Sequence, residues 1–431
     1  MNRFKKWPKL DQYFKQGAIN FIDLAFAESV LKKLNSDKQE HAALLATLFA
    51  LSRQGHLTLD LSKEALDFAL QVLSISDKDS LSQLLNDGAA TFPLQGISEV
   101  ENSDSYPNTW ICFSGMRYYL QRNWVYESEI LKHLQRLSKH APAIPFSFPQ
   151  MDLRLNEAQR KGIENAMMHS LSLLTGGPGT GKTFTAAEIV KIFLHSFPID
   201  KHGQLRVILT APTGKAVSQL EGNLRDILSP QVAMRTGTLH ALLGIKSYVY
   251  EEEKAAMLFA DLIIVDECSM LTEEMMAALI EALSGVHRLI FVDDPRQLPP
   301  IGAGRPFADL VARLQPGNVE GMFPRMAPGY AELTIPRRQG AGDREDLQLA
   351  AWFNGGVLSP GEDQVFEILA GKRASDTVEF VRWDTPDDLE RLLPQVLSSV
   401  LKFDAAEPAW RAFARSLGAK YRREGVCLVQ P

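Results

Sequence analysis

Gly176-Gly177-Pro178-Gly179-Thr180-Gly181-Lys182-Thr183 follows the apolar run Leu171-Ser172-Leu173-Leu174-Thr175. A G-x-x-x-x-G-K-T segment behind a buried strand, with an amphipathic helix starting near Phe184, is suited to holding phosphates. The glycines let the backbone curl until successive N–H groups point inward, and the following helix adds its positive end. Lys182 would reach the terminal phosphates of a nucleoside triphosphate, and the Thr183 hydroxyl would hold Mg²⁺. The chemistry these residues offer is nucleotide binding and hydrolysis.

Two further groups follow apolar runs. Asp266-Glu267 closes Leu262-Ile263-Ile264-Val265. There Asp266 would hold the Mg²⁺ shell while Glu267 orients or deprotonates the attacking water. The other reading is an acidic pair opening a helix, favourable against the dipole by about 0.3–1 kcal/mol. Gln297, in Asp294-Pro295-Arg296-Gln297-Leu298-Pro299-Pro300, comes after Leu289-Ile290-Phe291-Val292. Its amide would sense a γ-phosphate, unless the segment is only a Pro/Gly loop.

These groups need a frame that places them together. From about 151 to 311 strands and helices alternate, with strands at Leu171–Thr175, Val207–Ala211, Leu262–Asp266 and Leu289–Asp293. Such alternation predicts an α/β fold with a parallel sheet and ligands at the strands' C-terminal ends. Residues 1–104 read as a helical domain, with helical apolar spacing over Phe21–Phe26 and His41–Leu51. Pro93 to Pro107 reads as a linker. Residues 105–150 read as a hairpin and helix connector ending in a Pro-rich joint at Ala141–Pro149. Residues 151–330 form the motor segment. Signals at Val378–Trp383 and Asp387–Leu401 place the start of a second α/β unit in 331–431.

The chain has 431 residues, 45% of them hydrophobic and 23% charged, as in ordinary soluble globular proteins. Three scattered cysteines, Cys112, Cys268 and Cys427, give neither a disulfide framework nor a metal pattern. No secretory leader is visible and no apolar run approaches the roughly 20 residues of a bilayer span, so a cytoplasmic protein without a membrane partner is expected. The net charge of −6 leaves nucleic acid open, because affinity follows local phosphate neutralisation. Lysine outnumbers arginine 18 to 11 through residue 290, and arginine outnumbers lysine 14 to 3 after it. A change of domain or a fusion of two gene segments would each leave that shift.

The phosphate loop, Thr210-Ala211-Pro212-Thr213-Gly214-Lys215-Ala216, Asp266-Glu267-Cys268-Ser269-Met270 and Gln297-Leu298-Pro299-Pro300 stand in one order. That order, with Thr236-Gly237-Thr238-Leu239-His240-Ala241-Leu242-Leu243-Gly244, resembles RecD-type superfamily 1 DNA helicases. A weaker likeness to the α subunit of exodeoxyribonuclease V runs through Gly55–Leu61 and Ile111–Trp124. The resemblance implies a RecA-like P-loop NTPase motor domain, a helical N-terminal domain that docks partners, and an incomplete second RecA-like domain. It implies ATP and Mg²⁺ as cofactors, single-stranded or duplex-end DNA as the track, and RecB-like and RecC-like subunits as partners. By the same resemblance Gln159 would recognise adenine, although a surface helix position is the plainer reading. Thr213, Lys215 and His240 would contact the DNA backbone. Arg338, beside Arg337, would stabilise charge on the transferring phosphoryl group. Lys182, Glu267, Gln297 and Arg338 would then be the catalytic set.

Two departures stand out. The family carries Gly-Asp where this chain has Asp293-Asp294, and the added carboxylate is expected to impair turnover if a left-handed backbone or close approach is required there. After Arg338 neither the family's Gln-Gly segment nor its Thr-Arg-Ala segment follows, so the second motor domain reads as begun and unfinished. Gly302–Phe307 and Ala327–Leu333 look more like free-standing RecD-like helicases. The expectation is a 5′→3′ DNA helicase subunit in double-strand break repair, with a free-standing helicase or a weakly active ATP-binding interaction subunit as alternatives.

Overall fold

The computed structural model describes residues 6–101, 107–139, 154–197, 205–224, 233–245, 256–283, 287–314 and 329–335. The chain divides into two compact units, Met1–Arg338 and Gln339–Pro431, and every described residue lies in the first. Among the described residues no helix is long and apolar enough to cross a membrane.

The N-terminal part packs α1 (Pro8–Lys15), α2 (Phe21–Lys33), α3 (Gln39–Arg53), α4 (Lys63–Val72) and α5 (Lys78–Thr91) around one core. In α3, His41 to Leu48 are all buried, the pattern of a helix surrounded by its neighbours. Asp23 of α2 is buried and takes two N–H groups from Arg53 of α3, each at 3.0 Å. The bidentate pair satisfies the carboxylate that burial would otherwise penalise.

This part is not purely helical. Strand β1 (Thr58–Asp60) falls between α3 and α4, and β2 (Ile97–Glu99) lies inside the segment read as a linker. The expected hairpin forms as β3 (Ile111–Ser114) and β4 (Arg117–Leu120), turning at Gly115. It completes a sheet of order β1-β4-β3-β2. The boundary near 104 is therefore crossed by strand pairing, because the three-residue β1 and β2 cannot stand without the hairpin between them. Helix α6 (Gln121–Lys139) follows, and its Ile130, Leu134 and Leu137 are buried in the core of the larger sheet.

That sheet starts after α7 (Glu157–Met168) with β5 (Leu171–Gly176) and α8 (Lys182–His195). Then come β6 (Arg206–Ala211), α9 (Gly214–Leu224), β7 (Ala233–Thr238), α10 (Leu239–Leu243) and β8 (Leu262–Val265). It continues through α11 (Glu273–Ala282), β9 (Arg288–Asp293), α12 (Pro306–Leu314) and β10 (Tyr330–Leu333). The order is β10-β5-β9-β8-β6-β7 and every pairing is parallel.

Side chains alternate between two apolar layers. Leu173, Ile263, Val265 and Phe291 face α6, α11 and α12, while Leu174, Leu262, Ile264 and Ile290 face α7, α8 and α9. Parallel sheets are stable when covered on both faces, and these strands read accordingly as near-continuous apolar runs. All four expected strands form within a residue or two of their expected bounds. The structure adds β7 and β10. Residues 331–333, assigned from the sequence to a second motor domain, pair with Leu174–Gly176 of β5 and so edge the first sheet. The proposed second unit beyond Ile335, with its expected strand and helix, lies outside the described residues, as does the joint at Ala141–Pro149.

Candidate active site

The C-terminal ends of β5, β9, β8 and β6 are neighbours, which brings the sequence motifs to one rim. After β5 the chain enters the phosphate loop. Gly179 and Gly181 have φ of 79° and 92°, a region glycine reaches without cost. Gly176 is also packed tightly: a Cβ there would lie 2.6 Å from the Leu333 carbonyl of β10. Thr180 donates its hydroxyl to the Gly177 carbonyl at 2.8 Å, closing the loop. Lys182 and Thr183 open α8, so their N–H groups and the helix dipole face the loop. The Lys182 ammonium donates to the carbonyls of Gly176 and Gly177.

A cavity of about 510 Å³ lies over this loop, within the usual size of a small-molecule site. Pro178, Lys182 and Thr183 line it, as do Arg154 and Phe184. Sequence reasoning missed the last two. Phe184 directly follows the motif, whereas nothing in the local sequence places Arg154, which arrives with the chain entering α7.

Gln159 is no surface residue. It sits at the third position of α7, fully buried, where its Oε1 accepts from the Asn156 N–H and Asn156 Oδ1 accepts from its own N–H. This reciprocal cap fixes the side chain. Its Nε2 is buried without a partner, and a Cβ on Gly181 would come within 2.8 Å of it. A buried amide N–H left unpaired beside the phosphate loop is costly and points to a ligand acceptor.

At the end of β8, Asp266 is buried and accepts the Glu267 N–H at 2.9 Å. Burial above all, then the charges of Asp293 and Glu267, push Asp266 up to about 6, against the Glu267 N–H and the Lys182 ammonium. A carboxylate so raised among acidic neighbours suits a bound cation. Glu267 takes a left-handed backbone, φ 54° and ψ 43°, and its Oε2 accepts the Thr213 hydroxyl at 2.6 Å. The pair does not open a helix: a single 3₁₀ turn, Cys268–Met270, intervenes before α11.

Gln297 lies on the exposed loop after β9, and its Nε2 donates to Asp293 Oδ1 at 3.2 Å. Asp293 is buried and outside the left-handed region, so the backbone premise for an impairment is not met. Its carboxylate also accepts the N–H groups of Ser269 at 2.7 Å and Asp294 at 2.6 Å. It therefore ties the acidic-pair turn to the Gln297 loop. Asp294, also buried, lies against Gly177, whose Cβ would be 4.0 Å from its Oδ2.

Beyond β8 in the sheet, Thr213 caps α9 by accepting the Ala216 N–H at 3.3 Å, and Lys215 stands exposed in its first turn. His240 is exposed on α10 at the end of the adjacent β7. The structure thus gathers Gln159, Gly176–Thr183, Asp266, Glu267 and Gln297 at β5, β9 and β8, with Thr213, Lys215 and His240 beside them. Arg337 and Arg338 lie outside the described residues.

A family described as an AAA domain matches residues 159–303. The RecBCD enzyme subunit RecD of Mycolicibacterium smegmatis is 30% identical over 86% of this chain and 63% of its own length. That of Haemophilus influenzae is 30% identical over 44% of this chain and 33% of its own. The ATP-dependent RecD2 DNA helicase of Deinococcus radiodurans is 36% identical over 36% of this chain and 20% of its own. The chain spans at most about two thirds of these relatives, 63% of the first. The motifs, the parallel sheet that aligns them and these similarities agree: the chain is similar to RecD-type helicases, with an AAA domain over residues 159–303.

Proposed function

We propose that the chain is an ATP-dependent 5′→3′ DNA helicase subunit of a RecBCD-type exodeoxyribonuclease V acting in double-strand break repair. One observation carries this reading: Lys182, Asp266, Glu267 and Gln297 stand on neighbouring strand ends, flanked by exposed Lys215 and His240. That is a phosphate site with a hydrolytic carboxylate, adjoining a surface that suits a phosphodiester backbone.

ATP fits the residues present. The orphaned Gln159 amide N–H would meet a ring nitrogen of adenine, and the glycine loop with Lys182 would hold the phosphates. Thr183 and Asp266 would hold Mg²⁺, which offsets phosphate charge. Glu267 would take the proton of the attacking water, while Gln297, steadied by Asp293, would sense the γ-phosphate. Arg338 would stabilise the charge that develops on the phosphoryl oxygens. The direction of movement and docking of RecB-like and RecC-like subunits through residues 1–104 rest on the family resemblance; the partial second motor domain in 331–431 rests also on its strand and helix signals, and the cytoplasmic setting on the cysteine usage and apolar pattern.

A strand-stimulated ATPase is expected, and Lys182→Ala should lower it by about 10²–10³, as loss of one preorganised charge contact does. Wild-type turnover in Lys182→Ala would end the motor reading. The 36% identity to the Deinococcus radiodurans helicase favours a second reading, a free-standing helicase. Failure to co-purify with RecB-like and RecC-like subunits, together with unwinding by the chain alone, would select it.

A further inference from the structure

The loop after β9 is fastened at both ends and bare in its middle. At one end Gln297 donates to Asp293, while Leu298 and Ile301 stand exposed beyond it. At the other end the loop meets the N-terminal part. The Gly304 N–H donates at 2.9 Å to the carbonyl of Gly55, in the turn between α3 and β1. The preceding carbonyl, that of Ala303, accepts the Glu273 N–H of α11 at 3.0 Å. Two successive residues thus fix the loop to two different elements.

The two backbones meet where a side chain would come between them. Gly55 has φ of 97°, and a Cβ on it would lie 3.2 Å from the Gly302 carbonyl oxygen. The turn is itself held. Buried Asn123 of α6 donates to Ser52 Oγ at 3.3 Å and to the Leu57 carbonyl at 3.4 Å, one on each side of Gly55. Only Leu298, Pro299, Pro300 and Ile301 separate Gln297 from Gly302. Each proline ring fixes its own φ, and each also restricts the residue before it. A stretch so stiff passes a displacement at Gly302 on to Gln297 rather than absorbing it.

We propose that Gly55 is a positioning residue for Gln297: its turn seats the far end of the loop, and the Pro-Pro segment then sets the Gln297 amide at the γ-phosphate. A turn of the N-terminal part thereby completes the hydrolytic site of the parallel sheet. The inference rests on Gln297 as the γ-phosphate sensor of an ATPase.

The test compares the full chain as wild type, Gly55→Ala, Gly55→Asn, Gln297→Ala and Gly17→Ala. Gly17 has φ of 76° and nothing within 4 Å of an added Cβ, so Gly17→Ala carries backbone strain without the contact. Asn enters the left-handed region more readily than Ala, so Gly55→Asn carries the contact with less strain. Both Gly55 variants should lower kcat about tenfold with KM for ATP unchanged, short of the roughly 10²-fold that a misplacement of about 1 Å can cost. Gly17→Ala should match wild type. Adding Gly55→Ala to Gln297→Ala should cost nothing further, because both remove the same contact. Affinity for the β,γ-imido analogue of ATP relative to ADP needs no turnover. That ratio should fall several-fold in Gly55→Ala and hold in Gly17→Ala. Additive losses from Gly55→Ala and Gln297→Ala would overturn the positioning, as would equal losses in Gly55→Ala and Gly17→Ala, or an unchanged affinity ratio in Gly55→Ala. Wild-type turnover and an unchanged ratio in Gln297→Ala would instead remove the sensor role, and the positioning with it, while Lys182→Ala reports separately on ATP hydrolysis.

Discussion

The Asp293 carboxylate accepts from Ser269, Asp294 and Gln297 while buried at the end of β9. Each donor belongs to a turn that carries a proposed catalytic group, so the residue works as a cross-brace where family members carry glycine. Replacing it by glycine strips acceptors from two buried backbone N–H groups, at about 1–3 kcal/mol for each group left unsatisfied. Asp293→Gly should therefore lower the melting temperature and slow ATP turnover, whereas Asp293→Asn, which keeps one acceptor oxygen, should lose less. Thermal melts and steady-state turnover on the same preparations decide the matter. Faster turnover in Asp293→Gly would restore the view of this carboxylate as an impairment. Gln159 likewise depends on packing for its role. The sequence allowed a surface helix position, but the Asn156 cap and the Gly181 contact appear only when α7 is laid against the phosphate loop.

Helices α6, α11 and α12 meet through carboxylates. Glu273, the first residue of α11, is buried, and burial followed by the charges of Glu127 on α6 and Asp309 on α12 pushes it up to about 8. Glu127 is raised by burial and by Asp309, against Arg117 and Arg313, while Asp309 is raised by burial against Arg305 and Arg313. Glu273 binds its proton more tightly in the folded chain, so its contribution to stability is greatest at the acid end and is lost as pH rises from about 4.5 to about 8. The loss approaches about 1.4 kcal/mol per pH unit inside that window. Melting temperatures of the wild type should fall between about pH 5.5 and about pH 8, and Glu273→Gln, uncharged throughout, should fall less. Identical slopes would mean that Glu273 is not protonated in the fold. The same elements mark what a sequence can and cannot reveal. Strands β5, β6, β8 and β9 were legible because burial on both faces makes each an apolar run ending at a motif. Strand β7, Ala233–Thr238, carries Arg235, Thr236 and Gly237 and has no such run, since it lies at the sheet edge. Strand β10 is four residues long and owes its existence to pairing with β5. Short edge strands depend on partners that no local window contains.

Across the whole molecule, a net charge of −6 sets a background that repels a polyanion. The proposed strand binding must then come from a local surface, and a candidate lies at the ends of β6 and β7, where Lys215 and the N-terminus of α9 stand beside His240. This surface lies on the opposite side of β8 from the phosphate loop, so the two ligands can be held at once by one sheet. Salt separates the local attraction from the background. Each phosphate neutralised on a single strand releases condensed counterions and contributes about −0.7 to the slope of log affinity against log salt. Lys215→Ala should make that slope shallower by about 0.7 and weaken oligothymidylate binding most at low salt. ATP affinity measured without DNA should not change, because Lys215 lies outside the nucleotide cavity. Strand affinity followed by fluorescence anisotropy over a salt series, beside nucleotide binding, tests both halves. An unchanged slope would move the phosphate contact away from the β6–α9 turn.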